Sequence, residues 1–153
     1  MSSKHIQKSH NVTLLLYHLV CPAKYRRKVF TEETETTLKN ICLEIEQRYD
    51  LHYVEIEADE DHIHFLIQTV PMMSPTQIVK TTKSITAKEM FRLHPEIKKM
   101  LWGGHLWSSG FYMNTVGRHG NEESIKKYVQ NQGKQYKQIH RTNLEEQLTL
   151  FLC

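Results

Sequence analysis

The sequence has few of the residues that would cross-link the chain or anchor it in a membrane. Its 153 residues include three cysteines, Cys21, Cys42 and Cys153, an odd number without a C-x-x-C pair. This pattern predicts neither a disulfide framework nor a structural zinc site, and we interpret the three as reduced thiols. No apolar run approaches the roughly 20 residues that a membrane-spanning helix needs. Residues 1–11 also lack the apolar block of a signal peptide, so we expect a cytoplasmic protein without membrane contacts.

Internal repeats, low-complexity tracts and linkers rich in Gly, Ser or Pro are also missing. Hydrophobic residues make up 39% of the chain, an ordinary share for a globular protein. We therefore expect one domain over residues 1–153, with a core at about 10–135 and a tail at about 136–153.

Charge is segregated along the chain, although the net charge is only +3. Residues 1–30 contain six Lys or Arg and no acid, whereas residues 31–61 contain two basic and eleven acidic residues. Residues 62–153 contain twelve basic and six acidic residues. Such segregation can build one basic and one acidic face, and a basic face favours nucleic-acid binding. We expect the acidic segment at 32–46 to face away from the nucleic acid.

Periodicity and capping signals predict seven elements in the order strand, helix, strand, strand, helix, strand, helix. The predicted strands are 12–20, 51–58, 62–70 and 105–117; the helices are about 32–49 after Thr31, from Pro75 to about 92 after Ser74, and a last helix capped by Asn121. Ser74 and Gln77 form a capping box with Pro75 between them. This β-α-β-β-α-β order predicts a ferredoxin-like α+β sandwich, an antiparallel sheet with helices on one face, plus a C-terminal helix.

Two histidines in "DHIHF" lie one residue apart on a predicted strand. Side chains of a strand alternate between its faces, so His62 and His64 share one face while the apolar residues between and after them can pack on the helices. Two neutral imidazoles at this spacing can bind one cation. The pair alone leaves alternatives open, because many such pairs are incidental. A histidine-triad hydrolase would need a third histidine where Leu66 stands, and a three-histidine zinc site would need one of the eight others.

A tyrosine and a glutamine, Tyr128 and Gln132, lie one turn apart on the predicted last helix. A tyrosine at the edge of an apolar stripe is usually a core residue. Phenol is a poor nucleophile until it is positioned and its target is polarised. A divalent cation held by two imidazoles and a carboxamide oxygen could polarise a phosphodiester for this tyrosine. The resulting phosphotyrosine would permit rejoining without a nucleotide cofactor.

Five sequence blocks occur together in one order: "CPAKYRRKVF", "DHIHFLI", "LWGGHLW", "GFYMNTVGRHG" and "YVQNQG". In this order and spacing they resemble the single-tyrosine transposases of the insertion-sequence 200/605 type, within the HUH endonuclease superfamily. The resemblance extends from about residue 10 to about 135. One departure is Ala23, which separates Pro22 from Lys24 and indicates a one-residue difference in that turn.

The resemblance implies a DNA transposase that cleaves and rejoins single-stranded DNA at transposon ends through a 5′-phosphotyrosine intermediate. It implies that Tyr128 is the nucleophile and that His62, His64 and Gln132 bind Mg²⁺ or Mn²⁺. It also implies recognition of subterminal hairpins and a homodimer in which the tyrosine helix can complete the site of the second subunit. Members of the family need no nucleotide cofactor.

A basic cluster with an aromatic residue follows the first predicted strand. Cations suit phosphate contacts and the ring suits base stacking. The candidate DNA-binding residues are Lys24, Tyr25, Arg26, Arg27 and Lys28, with Lys80 and Lys83 on the second helix and Arg118 before the last helix. Three other functions are weighed against the transposase: a plasmid relaxase or rolling-circle replication initiator, a domesticated transposase, and a ferredoxin-like nucleic-acid-binding module without catalysis. The short chain and the flanking blocks argue against the first of these, and only genomic context separates the second from a mobile-element transposase. The third would bind without metal and without strand breakage by Tyr128.

Overall fold

The structure, a computed structural model, describes residues 7–8, 11–12, 15–70, 72–102, 104–116 and 137–142. The strands are β1 (Gln7–Lys8), β2 (Asn11–Val12), β3 (Leu15–Pro22), β4 (Leu51–Asp59), β5 (His62–Thr69), β6 (Tyr112–Thr115) and β7 (Lys137–Arg141). The helices are α1 (Glu32–Arg48), α2 (Pro75–Leu93) and α3 (Pro95–Met100), and one turn of 3₁₀ helix covers Lys24–Arg26. None of these helices combines the length and the apolar character needed to cross a bilayer.

The main sheet has five antiparallel strands in the order β6-β3-β5-β4-β7. The neighbouring strands β6-β3-β5-β4 have the order expected of the four strands in a β-α-β-β-α-β pattern. The helices lie on one side of this sheet. The predicted ferredoxin-like fold is therefore confirmed. The short strands β1 and β2 form a separate antiparallel ribbon.

One face of the sheet packs against the helices and forms the hydrophobic core. Ile63, Phe65 and Ile67 of β5 alternate onto this face and are fully buried. Burying a side chain of this kind contributes about 1.5–3 kcal/mol, and β5 lies at the centre of the sheet. The alternation therefore orients the other face of β5, which carries the two histidines, away from the helices.

Both long helices begin at the predicted caps. The Thr34 hydroxyl accepts a hydrogen bond from the Thr31 N–H at 2.7 Å, and the Thr31 hydroxyl accepts one from the Thr34 N–H at 3.4 Å. At the start of α2, the Gln77 N–H donates to the Ser74 hydroxyl at 3.1 Å, and the Gln77 side chain accepts from the Ser74 N–H at 2.8 Å. These reciprocal bonds satisfy donors that a helix start otherwise leaves without partners.

The predicted strand at 105–117 is only partly correct, because residues 112–115 alone form β6. Trp107 makes a single bridge to Ala23 instead of extending the strand. Its indole N–H donates to the Thr86 hydroxyl at 2.9 Å, and its ring stacks on Phe30 at 5.6 Å between centroids. Burial of this large side chain therefore holds the segment against α2 and out of the sheet.

Helix α3 and strand β7 were not predicted, nor were the β1–β2 ribbon and the 3₁₀ turn. Helix α3 begins at Pro95, directly after α2 ends, where the sequence analysis expected only a stop. Strand β7 lies within the segment assigned to the tail and pairs with the outer edge of β4. The last predicted helix and its cap Asn121 lie outside the described residues.

Candidate metal and DNA-binding site

The two histidines of β5 lie on the sheet face opposite the helices, as their spacing predicts. His64 is paired with Val20 on one side and Glu57 on the other, and His62 is paired with Pro22 and Asp59. Residues directly opposite each other in antiparallel strands point to the same face. The imidazole centroids are 5.1 Å apart, so the two rings are neighbours that can approach one cation.

Each of these two rings is held at its Nδ1 atom. His62 Nδ1 lies 2.7 Å from Asp61 Oδ1, and His64 Nδ1 lies 2.9 Å from His18 Nε2. An ionised carboxylate can only accept, so His62 carries its proton on Nδ1. A partner at one ring nitrogen selects the tautomer and orients the ring for a metal at the other nitrogen. A cation at this site would therefore be bound through the Nε2 atoms.

Burial keeps His64 in the form that binds metal. Desolvation, followed by the charges of His18 and His62, lowers the pKa of His64 to about 4. Burial also lowers the pKa of His18 from its ordinary value. Because a metal binds the neutral imidazole, His64 is a ready ligand at pH 7 without first losing a proton.

Two buried glutamates of β4 lie on the same face but in different environments. Glu55 accepts hydrogen bonds from Arg141 Nε at 2.6 Å and from Gln138 Nε2 at 2.9 Å. Glu57, directly opposite His64, is 1% exposed, and within the part of the chain that the structure describes neither of its carboxylate oxygens has a hydrogen-bond partner. Burial, followed by the Glu55 charge, raises the pKa of Glu57 to about 7.

The donor set fits a divalent cation. By residue type, two imidazoles beside a buried carboxylate suit Mn²⁺ on softness grounds and tolerate Mg²⁺. Asp59, Asp61 and His62 also place one ligand atom each within 4.8 Å of one another. Their short contacts meet at His62 Nδ1, 2.7 Å from Asp61 and 4.0 Å from Asp59, so this group lies at the other ring nitrogen from the one left for the cation.

A second group of ligand atoms, from Glu33, His94 and Glu96, lies in the helix layer. His94 ends α2, and its ring contacts the Thr37 hydroxyl at 2.7 Å and Glu96 at 3.2 Å. These contacts tie the end of α2 to α1 and give the buried ring a structural role. The group lies on the opposite side of the sheet from the histidine pair.

An exposed surface of cations and aromatic rings surrounds the turn after β3. Tyr25 is 57% exposed and Trp102 is 71% exposed, and their rings are 5.3 Å apart. The Arg27 guanidinium lies 4.9 Å from the Trp102 ring centroid, and Lys24 Nζ lies 5.3 Å from that of Tyr25. Exposed rings interleaved with cations are typical of surfaces that bind single-stranded nucleic acid. We call Lys24, Tyr25, Arg27 and Trp102 the aromatic surface.

Two of the predicted DNA-binding cations are exposed side chains that also contact the turn between β4 and β5. Arg26 makes a two-bond ion pair with Asp61, at 3.1 and 3.2 Å. Lys28 Nζ lies 3.5 Å from Glu60. The backbone follows an unusual path here, with positive φ angles of 59° at Tyr25 and 52° at Arg26. This left-handed conformation costs roughly 1–2 kcal/mol for a residue that is not glycine.

A groove of about 620 Å³ lies between α2 and the segment before β6. Three predicted DNA-binding lysines, Lys24, Lys80 and Lys83, line it together with apolar side chains that include Phe91 and Phe111. Lys83 Nζ donates to the Ser108 carbonyl at 2.8 Å. The fold therefore brings together cations that are nearly 60 residues apart in sequence.

Three predicted site residues, Tyr128, Gln132 and Arg118, lie outside the described residues, and their roles stay predictions. Four further residues of the candidate site were not predicted from the sequence. Asp61 had a signal, because it directly precedes His62, and Glu57 lies at a polar position of an alternating strand. His18 and Trp102 had none, because only strand pairing and loop packing bring them to their partners.

A ferredoxin-like sheet that carries a histidine pair on the face opposite the helices, beside a basic and aromatic surface, is the arrangement expected of a transposase of the HUH type. The family described as "Transposase IS200 like" matches residues 11–132. The chain belongs to this family.

Several relatives agree with this assignment. The chain is 34% identical over 118 residues to the ISDra2 transposase TnpA of Deinococcus radiodurans, with 77% of this chain and 84% of that protein covered. It is 27% identical over 134 residues to a transposase for insertion sequence element IS200 from Salmonella typhimurium, with 88% and 83% covered.

Solved structures share the fold. A crystal structure from Deinococcus radiodurans, described as a candidate transposase, matches with a TM-score of 0.66 and 32% identity, covering 82% of this chain and 96% of that one. A REP-associated tyrosine transposase bound to a REP hairpin matches with a TM-score of 0.52, covering 84% and 68%. At 11% identity, the second likeness supports the fold alone.

Proposed function

We propose that this protein cleaves and rejoins single-stranded DNA at transposon ends in a metal-dependent reaction that passes through a 5′-phosphotyrosine. The observation that carries the proposal is the His62–His64 pair, held at both Nδ1 atoms beside the buried carboxylate of Glu57. Membership of the transposase family supports the reaction class.

The metal site consists of His62 and His64, with Gln132 as the third protein ligand. A bound Mg²⁺ or Mn²⁺ supplies Lewis acidity that polarises the scissile phosphodiester. Asp61 and His18 orient the two rings, and burial keeps His64 neutral. The position of the pair on a central strand gives the ligands a rigid base.

Tyr128 is the nucleophile. Its phenol oxygen attacks phosphorus, the bond from phosphorus to the 3′ oxygen breaks, and the phenol proton leaves while the departing 3′ oxygen acquires one. The 5′ end stays attached to the tyrosine, and attack by a 3′-hydroxyl reverses the step and joins two ends. The phosphotyrosine conserves the bond energy, so no nucleotide cofactor is needed.

The substrate strand contacts the aromatic surface, where bases stack on Tyr25 and Trp102 and phosphates meet Lys24 and Arg27. The lysine-lined groove beside α2 offers further phosphate contacts to the subterminal hairpins at transposon ends. We further propose that the protein acts as a homodimer, in which the helix with Tyr128 can complete the site of the second subunit.

The test is a covalent protein–DNA adduct on a denaturing gel. The protein is mixed with single-stranded oligonucleotides copied from the hairpin-bearing DNA beside its gene, with Mn²⁺ or with a chelator. We expect a metal-dependent adduct that is lost in Tyr128→Phe, lost in His62→Ala/His64→Ala, and absent with duplex DNA. Tyr112→Phe is the matched control, because Tyr112 is an exposed tyrosine of β6.

The adduct assay separates strand cleavage from binding without catalysis, and it tests which tyrosine reacts. Tight binding without metal and without any adduct would favour a nucleic-acid-binding module. An adduct that persists in Tyr128→Phe would show that another tyrosine is the nucleophile.

A further inference from the structure

Arg26, Asp61 and His62 form a continuous chain of hydrogen bonds. Asp61 Oδ1 accepts from His62 Nδ1 at 2.7 Å and from the Arg26 terminal nitrogen at 3.2 Å. Asp61 Oδ2 accepts from Arg26 Nε at 3.1 Å. The guanidinium therefore donates a hydrogen bond to each carboxylate oxygen, and Oδ1 also accepts one from the imidazole. This two-bond geometry fixes the plane of the carboxylate as well as its position.

The backbone holds the same residues together. The Ala23 N–H donates to the Asp61 carbonyl at 2.8 Å, and the Lys24 N–H donates to the Leu106 carbonyl at 2.8 Å. The two residues that follow, Tyr25 and Arg26, have the left-handed backbone conformation described above. Strain of this kind persists where the surrounding contacts determine the conformation, and it clusters at functional sites.

We propose that Asp61 and Arg26 are positioning residues of the metal site. Asp61 fixes the tautomer and the ring orientation of His62, so that Nε2 is directed to the cation, and Arg26 fixes Asp61. This inference rests on the proposed function, and it changes the expected role of Arg26 from DNA contact to support of a metal ligand.

The arrangement also connects two parts of the site. Arg26 lies between Tyr25 and Arg27, which belong to the aromatic surface. A strand bound on that surface therefore lies against the segment that orients the metal ligand. Metal affinity in the absence of DNA isolates the positioning role from any contact of Arg26 with a phosphate.

The chain provides a matched control, the ion pair of Arg92 with Glu89 on α2. It is also a pair in which Nε and a terminal nitrogen contact the carboxylate, at 2.9 and 2.6 Å. Its side chains are 63% and 26% exposed, against 60% and 25% for Arg26 and Asp61. Exposed pairs of this kind contribute little to stability. Both Arg92 nitrogens contact the same oxygen, Glu89 Oε1, so this pair controls for the loss of an exposed ion pair and not for the two-oxygen geometry.

The experiment measures Mn²⁺ affinity by electron paramagnetic resonance, without DNA, in folded variants verified by thermal unfolding. We expect Asp61→Asn to weaken binding about 10- to 100-fold, the usual effect of losing a carboxylate behind a histidine ligand. Arg26→Ala should weaken it by a smaller factor, and the double variant should bind no more weakly than Asp61→Asn. Glu89→Gln and Arg92→Ala should bind as the unchanged protein does.

A second readout needs no metal. Nitrogen-15 spectra of the histidine rings should show His62 protonated on Nδ1 in the unchanged protein and shifted toward the Nε2–H tautomer in Asp61→Asn. The signal is assigned by its loss in His62→Asn. A tautomer that does not change in Asp61→Asn would overturn the positioning role.

The outcomes separate this inference from the proposed function. If His62→Ala/His64→Ala binds Mn²⁺ as before, the metal site itself is wrong. If that variant loses Mn²⁺ while Asp61→Asn and Arg26→Ala retain full affinity, the metal site stands and only the positioning role is refuted.

Discussion

The buried carboxylate of Glu57 predicts that its replacement has opposite effects on stability at low and high pH. Glu57 is 1% exposed, and no described residue donates a hydrogen bond to either of its oxygens, so ionisation in the folded state is unfavourable. We expect Glu57→Gln to destabilise the metal-free protein at pH 5. At pH 8 we expect it to be neutral or stabilising.

The magnitude follows from the pKa of this carboxyl. Burial raises the pKa of Glu57 from 4.5 to about 7. Because the folded value is the higher one, the protein has its full stability below the unfolded pKa and loses stability as pH rises through about 7. The loss is about 3 kcal/mol. Gln removes this loss, but its buried amide costs about 1–3 kcal/mol at every pH.

The assay is thermal or urea unfolding at pH 5 and pH 8 with a chelator present. The difference in unfolding free energy between Glu57→Gln and the unchanged protein should change by about 3 kcal/mol between the two pH values. For a domain of this size, that corresponds to a change of about 6–12 °C in the relative Tm.

The neighbouring Glu55 is the matched control. Glu55→Gln removes the carboxylate that Arg141 and Gln138 contact, so we expect it to be destabilising at pH 8. If the unfolding free energy of Glu57→Gln differs from that of the unchanged protein by the same amount at both pH values, the pKa of Glu57 is not raised by burial and the prediction is refuted.

Two further predictions concern DNA affinity and helix capping. Trp102→Ala should weaken binding of a single-stranded oligonucleotide in fluorescence anisotropy by about 1–3 kcal/mol, because a base loses its stacking partner, while Tm stays unchanged. Tyr49→Ala is the control, since Tyr49 is an exposed ring beside Arg48 at the far end of α1; equal losses in both variants would contradict a specific aromatic surface. Ser74→Ala should lower the unfolding free energy by about 1 kcal/mol by removing the cap of α2, and an unchanged urea midpoint would show that this cap contributes nothing.

Local signals in the sequence determined most of the elements and the histidine pair of the proposed metal site. Strand alternation placed His62 and His64 on one face, and the caps at Thr31 and Ser74 set the starts of α1 and α2. These features depend on residues within a few positions of one another, so periodicity and side-chain chemistry suffice to predict them.

Only the tertiary structure decided the surroundings of the histidine pair. His18 reaches His64 across 46 residues, and Glu57 becomes its neighbour through strand register. Arg26 reaches Asp61 because its backbone takes a left-handed path that no glycine signals. Contacts of this kind depend on pairing, burial and turn geometry, which a short stretch of sequence does not encode. The amino-acid sequence therefore determined which residues could bind a cation. The fold determined how their rings are oriented and which carboxylate is buried beside them.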